Sequence, residues 1–448
     1  MTSTQVPDLS AIADECLDRA KKYGADGADV DVVDGRSVSA TSRLGKMEDV
    51  SRAEGRDLSL RVFVGQSSAV VSSNDFSSNT LDDLAERAVA MARAAPADPY
   101  AGLADASLLT TTLPDLDLHD PAEPDADALF ALALEAEDAA RGVEGVTNSL
   151  GASAGASHRT AVLATSAGFS SGYQGSRFSV STGAISGAGT AMENDYAYSS
   201  GRHMADMDAP ATIGLEAGTR AVKRSQPTRP ETFTGTVVYE PRSARSMLGH
   251  LASAINGRAV ARGSSFLKSK MGTQIFADGL SVIDDPLRVR GPASRPFDGE
   301  GLASARRQLV SNGRLESWIL DLATARQLDL APTGQASRGG GTPGPSAANL
   351  FLEPGDVTPE ALIGTITHGV LVTDMIGMGV NIVTGDYSRG ASGFLIENGE
   401  ITGPVNGFTI AGNLSEMFAR VRPANDLVFK YGTDTPTIAI EGMTIAGS

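Results

Sequence analysis

The chain is poor in cysteine, with Cys16 as the only one among 448 residues. A single thiol can form neither a disulfide within the chain nor a cluster of thiolate metal ligands, and it is typical of a reducing compartment. No apolar run approaches the roughly 18–20 residues that a membrane-spanning helix needs. The first ten residues, MTSTQVPDLS, also lack the basic and apolar segments of a secretory signal. We therefore expect a cytoplasmic protein without membrane association.

Basic residues are fewer than acidic ones. The chain has 37 Lys and Arg against 54 Asp and Glu, which gives a formal net charge of −17. Binding to nucleic acid depends on clustered Lys and Arg, so this balance argues against direct contact with DNA or RNA. Aromatic residues make up only 5% of the chain whereas glycine occurs 50 times. That composition favours many turns and strands packed through small side chains.

Apolar spacing predicts helices interspersed with antiparallel strands in the first half of the chain. Residues 29–34 and 57–64 alternate as strands, and residues 69–71 complete a hairpin with the second of them. The predicted helices and their caps are 11–23 (Asp8 or Ser10), 80–94 (Thr80), 128–141, and 209–224 (Asp208). This mixture indicates an α+β architecture rather than a doubly wound parallel sheet.

A polar, proline-containing run at residues 225–231 is the predicted domain boundary. Residues 1–225 form an N-terminal α+β domain, which a connector rich in Pro and Asp at 95–127 could divide into two subdomains. Residues 226–448 form a C-terminal domain of mostly β structure. Within it, Asn398-Gly399 predicts a β-hairpin, because this dipeptide is a strong signal for a two-residue turn.

The C-terminal half opens with an apolar strand at residues 237–239 and a helical run that follows Pro241. Gly257 is the predicted end of this helix. His250 lies in its middle and could be a metal ligand, a proton carrier or a packing residue. No two of the five histidines have the i, i+4 spacing of a zinc helix, so a zinc site would need ligands from distant segments or a second chain. For His250 the residues favour packing or hydrogen bonding.

Glycine-containing motifs give little support to other chemistry. Residues 151–155 and 168–172 both match GxSxG, but neither is followed by the helix that a nucleophile elbow requires. Residues 331–348 have no periodicity, and loops of this length are usually functional or disordered. Within this loop Arg338 precedes three glycines and could meet an anion, although the pattern favours a flexible hinge.

Several ordered motifs of the second half resemble one protein family. They are VNIVTGDYSRGASGFLIENGEITGPVNGFTIAGNLSEMF at 380–418, RPFDGEG at 295–301, LAPTG at 330–334 and EGMTIAG at 441–447. These motifs are similar to those of the TldD/PmbA family, whose older name is "modulator of DNA gyrase". The resemblance implies a two-subunit peptidase in which one subunit type carries an HExxxH zinc motif and a cysteine ligand. The other subunit type, called PmbA or TldE, lacks them.

The resemblance also assigns positions in this chain. Arg245 stands where the family has its first metal histidine, Ser246 stands where it has the general-base glutamate, and His250 remains as the second histidine. Met375 falls near the cysteine position. An arginine repels zinc, a serine cannot act as the carboxylate base, and a thioether is a poor zinc ligand. The resemblance therefore implies no catalytic residue and no zinc in this chain.

The resulting hypothesis is a non-catalytic subunit of a cytoplasmic zinc peptidase that acts on unfolded peptides. Its expected partners are a TldD-like zinc-bearing subunit and the peptide, with a homodimer when it is alone. The loop 331–348 and Asp386, Tyr387 and Arg389 are candidates for the wall of the substrate channel. One alternative is a self-sufficient divergent peptidase with a site around His250. Another is a regulatory protein that binds DNA gyrase.

Overall fold

The computed structural model of the chain describes residues 8–447. Within this range no helix is both long and apolar enough to cross a membrane. The helices are α1 (Leu9–Lys22), α2 (Ser78–Ala94), α3 (Ala126–Arg141), α4 (Pro210–Lys223), α5 (Pro241–Ala254), α6 (Gly257–Ala261), α7 (Leu322–Gln327), α8 (Pro359–Ile363) and α9 (Leu414–Ala419).

Strands account for more of the chain than helices do. The strands are β1 (Gly27–Arg43), β2 (Lys46–Val64), β3 (Ser67–Ser73), β4 (Val146–Thr165), β5 (Ser170–Ser186), β6 (Glu193–Gly201), β7 (Phe233–Tyr239), β8 (Val282–Asp284), β9 (Arg307–Ser311), β10 (Arg314–Leu315), β11 (Ala336–Ser337), β12 (Gly344–Pro345), β13 (Leu350–Leu352), β14 (His368–Ile376), β15 (Asp386–Glu397), β16 (Glu400–Asn413), β17 (Val421–Pro423), β18 (Thr433–Asp434) and β19 (Ile438–Ala446). The longer helices lie in the first half and strands dominate the second, so the predicted α+β class is confirmed.

An antiparallel sheet in the order β3-β2-β1-β4-β5-β6 organises the first half. Successive side chains of a strand point to opposite faces of its sheet. On β1, Val30, Val32 and Ala40 are fully buried on one face, where α1 and α2 cover one end of the strand and α3 and α4 cover the other. Asp29 and Asp31 therefore point to the opposite face, which packs against the second half of the chain.

A second sheet, in the order β16-β15-β14-β7-β19-β17, organises the second half. β7 and β14 are parallel, whereas the other neighbours are antiparallel. β16 pairs with β19 as well as with β15, so five of the strands close into a ring. Residues from this ring, from α5 and from a smaller sheet, β10-β9-β8-β13-β18, share one large apolar core.

The two halves of the chain contact each other through charged and aromatic side chains. Arg338 donates from Nη1 to Asp29 Oδ1 at 2.7 Å, and the rings of Phe169 and Phe297 meet edge to face with centroids 5.0 Å apart. The side chain of Arg338 is only 5% exposed. The anion that the sequence allowed for Arg338 is thus the carboxylate of Asp29, and this contact anchors the residue before the three glycines to the first sheet. The surrounding loop, predicted without regular structure, also contains the short pair of strands β11 and β12.

Two helices of the first half begin at residues other than the predicted caps. α2 is preceded by Ser77, and Thr80 lies inside its first turn. α4 is preceded by Ala209 rather than Asp208. The carboxylate of Asp208 is 3.2 Å from Lys430 Nζ in the second half. A tertiary contact thus occupies the side chain that local sequence assigned to capping.

Gly257 begins α6 and does not end the preceding helix as predicted. α5 ends at Ala254, and the side chain of Asn256 accepts a hydrogen bond from the backbone N–H of Arg258 at 3.0 Å. This cap starts a new short helix. Glycine is required at this position, because a Cβ atom there would lie 2.6 Å from Thr324 Oγ1.

The predicted hairpin at Asn398-Gly399 is confirmed. β15 ends and β16 begins on either side of this dipeptide. Both residues have positive φ angles, 50° and 83°, in the region that asparagine and glycine adopt with least strain. The turn sets the register of the two residue pairs next to it, Glu397 with Glu400 and Ile396 with Ile401, beyond which bulges shift the pairing.

Both GxSxG segments lie in one hairpin of the first sheet. Residues 151–155 are part of β4, and residues 168–172 form the turn into β5. Each is therefore followed by strand and not by the helix that would hold a nucleophilic serine. The rejection of a serine hydrolase site agrees with this placement.

Candidate functional site

Three of the four motif positions assigned by the resemblance, Arg245, Ser246 and Met375, line one surface cleft, which we call the α5 cleft. It has a volume of about 420 Å³. Its walls come from α5, from the neighbouring strands β14 and β15, from the edge strand β6 and from the segment that precedes β18. Its lining includes Arg242, Arg245, Ser246, Asp374, Met375, Arg389 and Tyr431.

Helix α5 holds one wall of this cleft because it is amphipathic. It starts directly after β7, with Pro241 in its first turn, where a missing N–H costs nothing. Met247, Leu248 and Leu251 are at most 2% exposed and pack into the core. This is the stripe that helical spacing predicted. The opposite face, which includes Arg245 and Ser246, is left to line the cleft.

Arg245 and Ser246 are both held by neighbours within the described chain. The guanidinium of Arg245 lies over the ring of Tyr431, with its carbon 4.8 Å from the ring centroid, and donates to the hydroxyl of Tyr198 at 3.4 Å. Ser246 donates from Oγ to the backbone carbonyl of Ser243 at 2.8 Å. The serine hydroxyl is thus turned towards its own helix, and the guanidinium of Arg245 places a positive charge at the cleft wall.

His250 lies deeper than these two residues. Its ring meets the ring of Tyr387 edge to face, with centroids 5.9 Å apart. Its Nε2 atom is buried and has no hydrogen-bond partner among residues 8–447. Burial, reinforced by the nearby charge of Arg389, lowers the pKa of His250 to about 4. The imidazole is therefore neutral at physiological pH.

The predicted channel residues occupy different faces of β15. Tyr387 and Arg389 share one face, where Tyr387 is buried beneath the cleft and Arg389 lines it. Asp386 points to the other face, is exposed, and accepts hydrogen bonds from Thr384 Oγ1 at 2.6 Å and Asn413 Nδ2 at 3.3 Å. The structure thus brings Arg389 to the α5 cleft and separates Asp386 from it.

Met375 lies on β14, next to this cluster. The hydroxyl of Tyr387 donates to the sulfur of Met375 at 3.3 Å. Burial raises the pKa of Tyr387 to about 12, so this phenol stays protonated. Met375 and Tyr387 together form a neutral floor beneath the arginines.

Three guanidinium groups and one carboxylate, that of Asp374, line the cleft, so positive charge predominates there. Arg242 is neutralised by Asp195 at 2.9 Å and Glu240 at 3.3 Å. In the described part of the chain, Arg245 and Arg389 have no carboxylate oxygen within 4 Å. The Nε atom of Arg389 is also buried without a hydrogen-bond partner. Two cations of this cleft are thus left without a neutralising partner.

Sequence reasoning missed two members of this site. Arg242 lies three residues before Arg245 on the same helical face, and that spacing could have identified it. Tyr431 comes from a loop almost 190 residues away along the chain, and no local pattern connects it to α5. Only the packing of the second half brings it to the cleft.

These residues do not fit a catalytic zinc ion. Across residues 8–447 no three His, Cys, Asp or Glu side chains lie together as a metal site would require. The side chains at or beside the α5 cleft are three guanidinium groups, several hydroxyls, a thioether, the single carboxylate of Asp374 and the imidazole of His250. Guanidinium groups repel a divalent cation, and neither hydroxyl nor thioether is a preferred zinc ligand.

The wild-type protein is expected to lose stability at acid pH, and substituting His250 by leucine should make that loss smaller. The wild-type protein keeps the full contribution of the neutral imidazole above pH 6.5 and loses it as the pH falls to about 4, because protonation is then easier in the unfolded chain. The expected effect, reduced for partial solvation, is on the order of 2 kcal/mol. Urea unfolding at pH 7 and pH 4.5 measures it. Identical pH dependence in H250L and wild type would contradict it.

Models of one family match most of the chain. The PmbA/TldA metallopeptidase domain 1 matches residues 28–92, the central domain of the same family matches residues 119–225, and its C-terminal domain matches residues 232–447. Together these ranges include both sheets and the whole α5 cleft.

Individual relatives match over nearly the full length. Metalloprotease PmbA of Escherichia coli is 35% identical over 99% of this chain and 98% of its own. A PmbA homologue of Haemophilus influenzae is 35% identical over 100% of this chain and 98% of its own. The crystal structure of a proposed modulator of DNA gyrase from Bacteroides thetaiotaomicron has a TM-score of 0.90, with 28% identity over 98% of each chain. TldE from Thermococcus kodakarensis has a TM-score of 0.85 at 20% identity, covering 97% of this chain and 100% of its own, and therefore shows the fold alone.

Proposed function

We propose, from the premise that this chain belongs to the PmbA/TldD metallopeptidase family, that the chain is the non-catalytic subunit of a cytoplasmic zinc peptidase. The single observation that carries this proposal is the composition of the α5 cleft. Arg245 and Ser246 stand on the helix face where the family motif needs a metal histidine and a general base. A TldD-like subunit supplies the zinc, the base and the cysteine ligand.

Electrostatics supports this division of roles. Two unit charges of the same sign, 4 Å apart near a protein surface, repel each other by about 4 kcal/mol, and a divalent ion doubles the effect. Arg245 and Arg389 both line the α5 cleft without a carboxylate partner in residues 8–447. A zinc ion in this cleft would meet both cations and only one carboxylate, that of Asp374, which lies 3.9 Å from Arg224. The cleft therefore suits a peptide or another anion-bearing group better than a metal ion.

The edge of the first sheet supports a role in holding the peptide. β6 is the last strand of that sheet, and Tyr196 on β6 lines the α5 cleft. An extended peptide can add to an edge strand through unpaired backbone groups. At Tyr196 the backbone N–H donates to Asp195 Oδ1 and the carbonyl accepts from Arg242, so the peptide would add beside this position and not at it. An unfolded peptide in the cleft would thus lie between β6 and α5, and this chain would complete the chamber around the substrate.

Purified protein tests the proposal directly. The chain is prepared alone, a zinc-bearing homologue from the same organism is prepared alone, and the two are then combined. We expect the chain alone to carry substoichiometric zinc by mass spectrometry and to leave unfolded peptides intact. We expect cleavage by the combination, with one zinc ion for each homologue chain.

The two alternative functions predict different results in the same experiment. A self-sufficient peptidase would cleave peptides alone, and His250→Ala would abolish that activity, which would reject the subunit role. A gyrase-binding regulator would retain gyrase and not the zinc-bearing homologue in a pull-down. A stable complex with the homologue, formed without gyrase, is the outcome expected here.

A further inference from the structure

A second cavity lies between the two halves of the chain and shares no lining residue with the α5 cleft. It has a volume of about 290 Å³. One wall is the face of the first sheet that carries Asp31, and the other is formed by residues 293–299 and 336–338. Four guanidinium groups line it, so we call it the arginine cavity; they belong to Arg159, Arg202, Arg295 and Arg338.

Two of these arginines have buried nitrogen atoms without a partner. Arg338 donates from Nη1 to Asp29, but its Nη2 is buried and unpartnered within the described residues. Arg295 donates from Nη2 to the carbonyl oxygen of Ser346 at 2.9 Å, whereas its Nε is buried and equally unpartnered. Buried polar groups in folded proteins are almost always hydrogen-bonded. These two nitrogens therefore point to a ligand that accepts hydrogen bonds.

The other two arginines add charge without neutralisation. Arg202 is held by three backbone carbonyls, of Ser176, Gly291 and Pro292. Arg159 is exposed, and nothing in residues 8–447 hydrogen-bonds or ion-pairs with its guanidinium. Burial lowers the pKa of Arg202, and the charge of nearby arginines, Arg159 included, adds to this effect. The positive charges of these arginines thus repel one another around the arginine cavity.

The acidic residues nearby offset only part of this charge. The carboxylate of Asp29 is shared between Arg338 and Arg61. Burial raises the pKa of Asp31 and of Asp298, the two acidic residues that line the arginine cavity. Both carboxyl groups are less readily ionised than an exposed aspartate. An anion in the cavity would accept hydrogen bonds and offset charge at the same time.

Part of the cavity wall is apolar. Ala161, Leu163, Tyr173 and Phe297 line it, and the last two rings meet edge to face with centroids 5.6 Å apart. The lining as a whole is more polar than apolar, so the guanidinium groups would hold the charged end of a ligand and this apolar patch would contact its organic part. Inorganic ions would leave this wall unused.

We propose that the arginine cavity binds a small organic carboxylate of the size of a dipeptide. Arg159 and Arg295 hold its carboxylate by charge-assisted hydrogen bonds, for which the guanidinium fork is well suited. Its organic part packs against Tyr173 and Phe297. This site does not depend on the subunit role, because none of its residues belongs to the α5 cleft.

Calorimetric titration of the full chain tests this site with alanyl-alanine as the probe. We expect binding of the free acid and at least tenfold weaker binding of the C-terminal amide. Arg159→Met and Arg295→Met should each weaken binding of the free acid at least tenfold. Arg306→Met is the matched control, since Arg306 is 56% exposed and lies 3.7 Å from Asp285 outside the cavity. The affinity of Arg306→Met for alanyl-alanine should equal that of the wild type.

Three outcomes would overturn the proposal. The first is equal binding of the acid and the amide, and the second is full affinity of Arg159→Met for the free acid. The third is inorganic phosphate binding as tightly as the dipeptide, which would assign the cavity to an inorganic oxyanion instead. Unfolding curves of each variant confirm that it is folded before titration.

Discussion

Replacing Asp29 by alanine is expected to lower the free energy of unfolding by about 3–5 kcal/mol, the usual cost of removing one partner from a buried ion pair. Asp29 is fully buried. Its carboxylate accepts hydrogen bonds from Arg61 Nε at 2.8 Å and from Arg338 Nη1 at 2.7 Å. The side chains of these arginines are only 7% and 5% exposed. Without Asp29, two desolvated cations would face each other where the two halves of the chain meet.

Urea unfolding of matched variants measures this effect. Asp34 lies on the same strand and is 3.7 Å from Arg56, with side chains 26% and 43% exposed. Asp34→Ala should therefore cost no more than about 1 kcal/mol. In the triple variant Asp29→Leu, Arg61→Met, Arg338→Met, much of the stability should return, because apolar side chains can replace a buried charge cluster. Equal losses in Asp29→Ala and Asp34→Ala would show that this cluster does not join the two halves.

Replacing Glu300 by glutamine is expected to remove a strong pH dependence of stability. Burial, with a further contribution from the neighbouring Asp298, raises the pKa of Glu300 to about 8. Between pH 4.5 and about 8 the unfolded chain therefore releases this proton while the folded chain keeps it, so wild-type stability falls as the pH rises through this range. Each pKa unit corresponds to about 1.4 kcal/mol, and the total change amounts to several kcal/mol.

Denaturation at pH 5 and pH 8 compares the two proteins. Glutamine keeps an oxygen that can accept the hydrogen bond from the backbone N–H of Leu322, which Glu300 accepts at 2.8 Å, and it has no proton to lose. Glu300→Gln should therefore lose much less stability than the wild type on going to pH 8. Glu316→Gln, at an exposed glutamate of the same half, controls for the loss of one carboxyl group. Parallel losses in wild type and Glu300→Gln would refute the assignment.

The sequence predicted the local elements of the fold well. The apolar stripe of α5, the alternation of Val30 and Val32 on β1 and the Asn398-Gly399 turn all depend on residues a few positions apart, and all are present. Helix caps were less certain, because a capping side chain can be drawn into a distant contact. Asp208, which lies beside Lys430, is the example.

The candidate site was predictable only in part. The resemblance identified Arg245, Ser246, His250 and Met375, and the structure places all four in or beside the α5 cleft. The resemblance does not predict that the charge of Arg389 acts on His250, because that proximity depends on the packing of β15 against α5.

By itself, the sequence determined the α+β class, the hairpins, the amphipathic helix α5 and the family resemblance, because each follows from the residue types and spacing of short segments. Only the tertiary structure decided that Arg338 pairs with Asp29, 309 positions away along the chain. It also decided that four arginines gather around one cavity. The physical reason is that an ion pair or a cavity between distant segments exists only once two separately folded sheets have packed together, and no local pattern of residues encodes that packing.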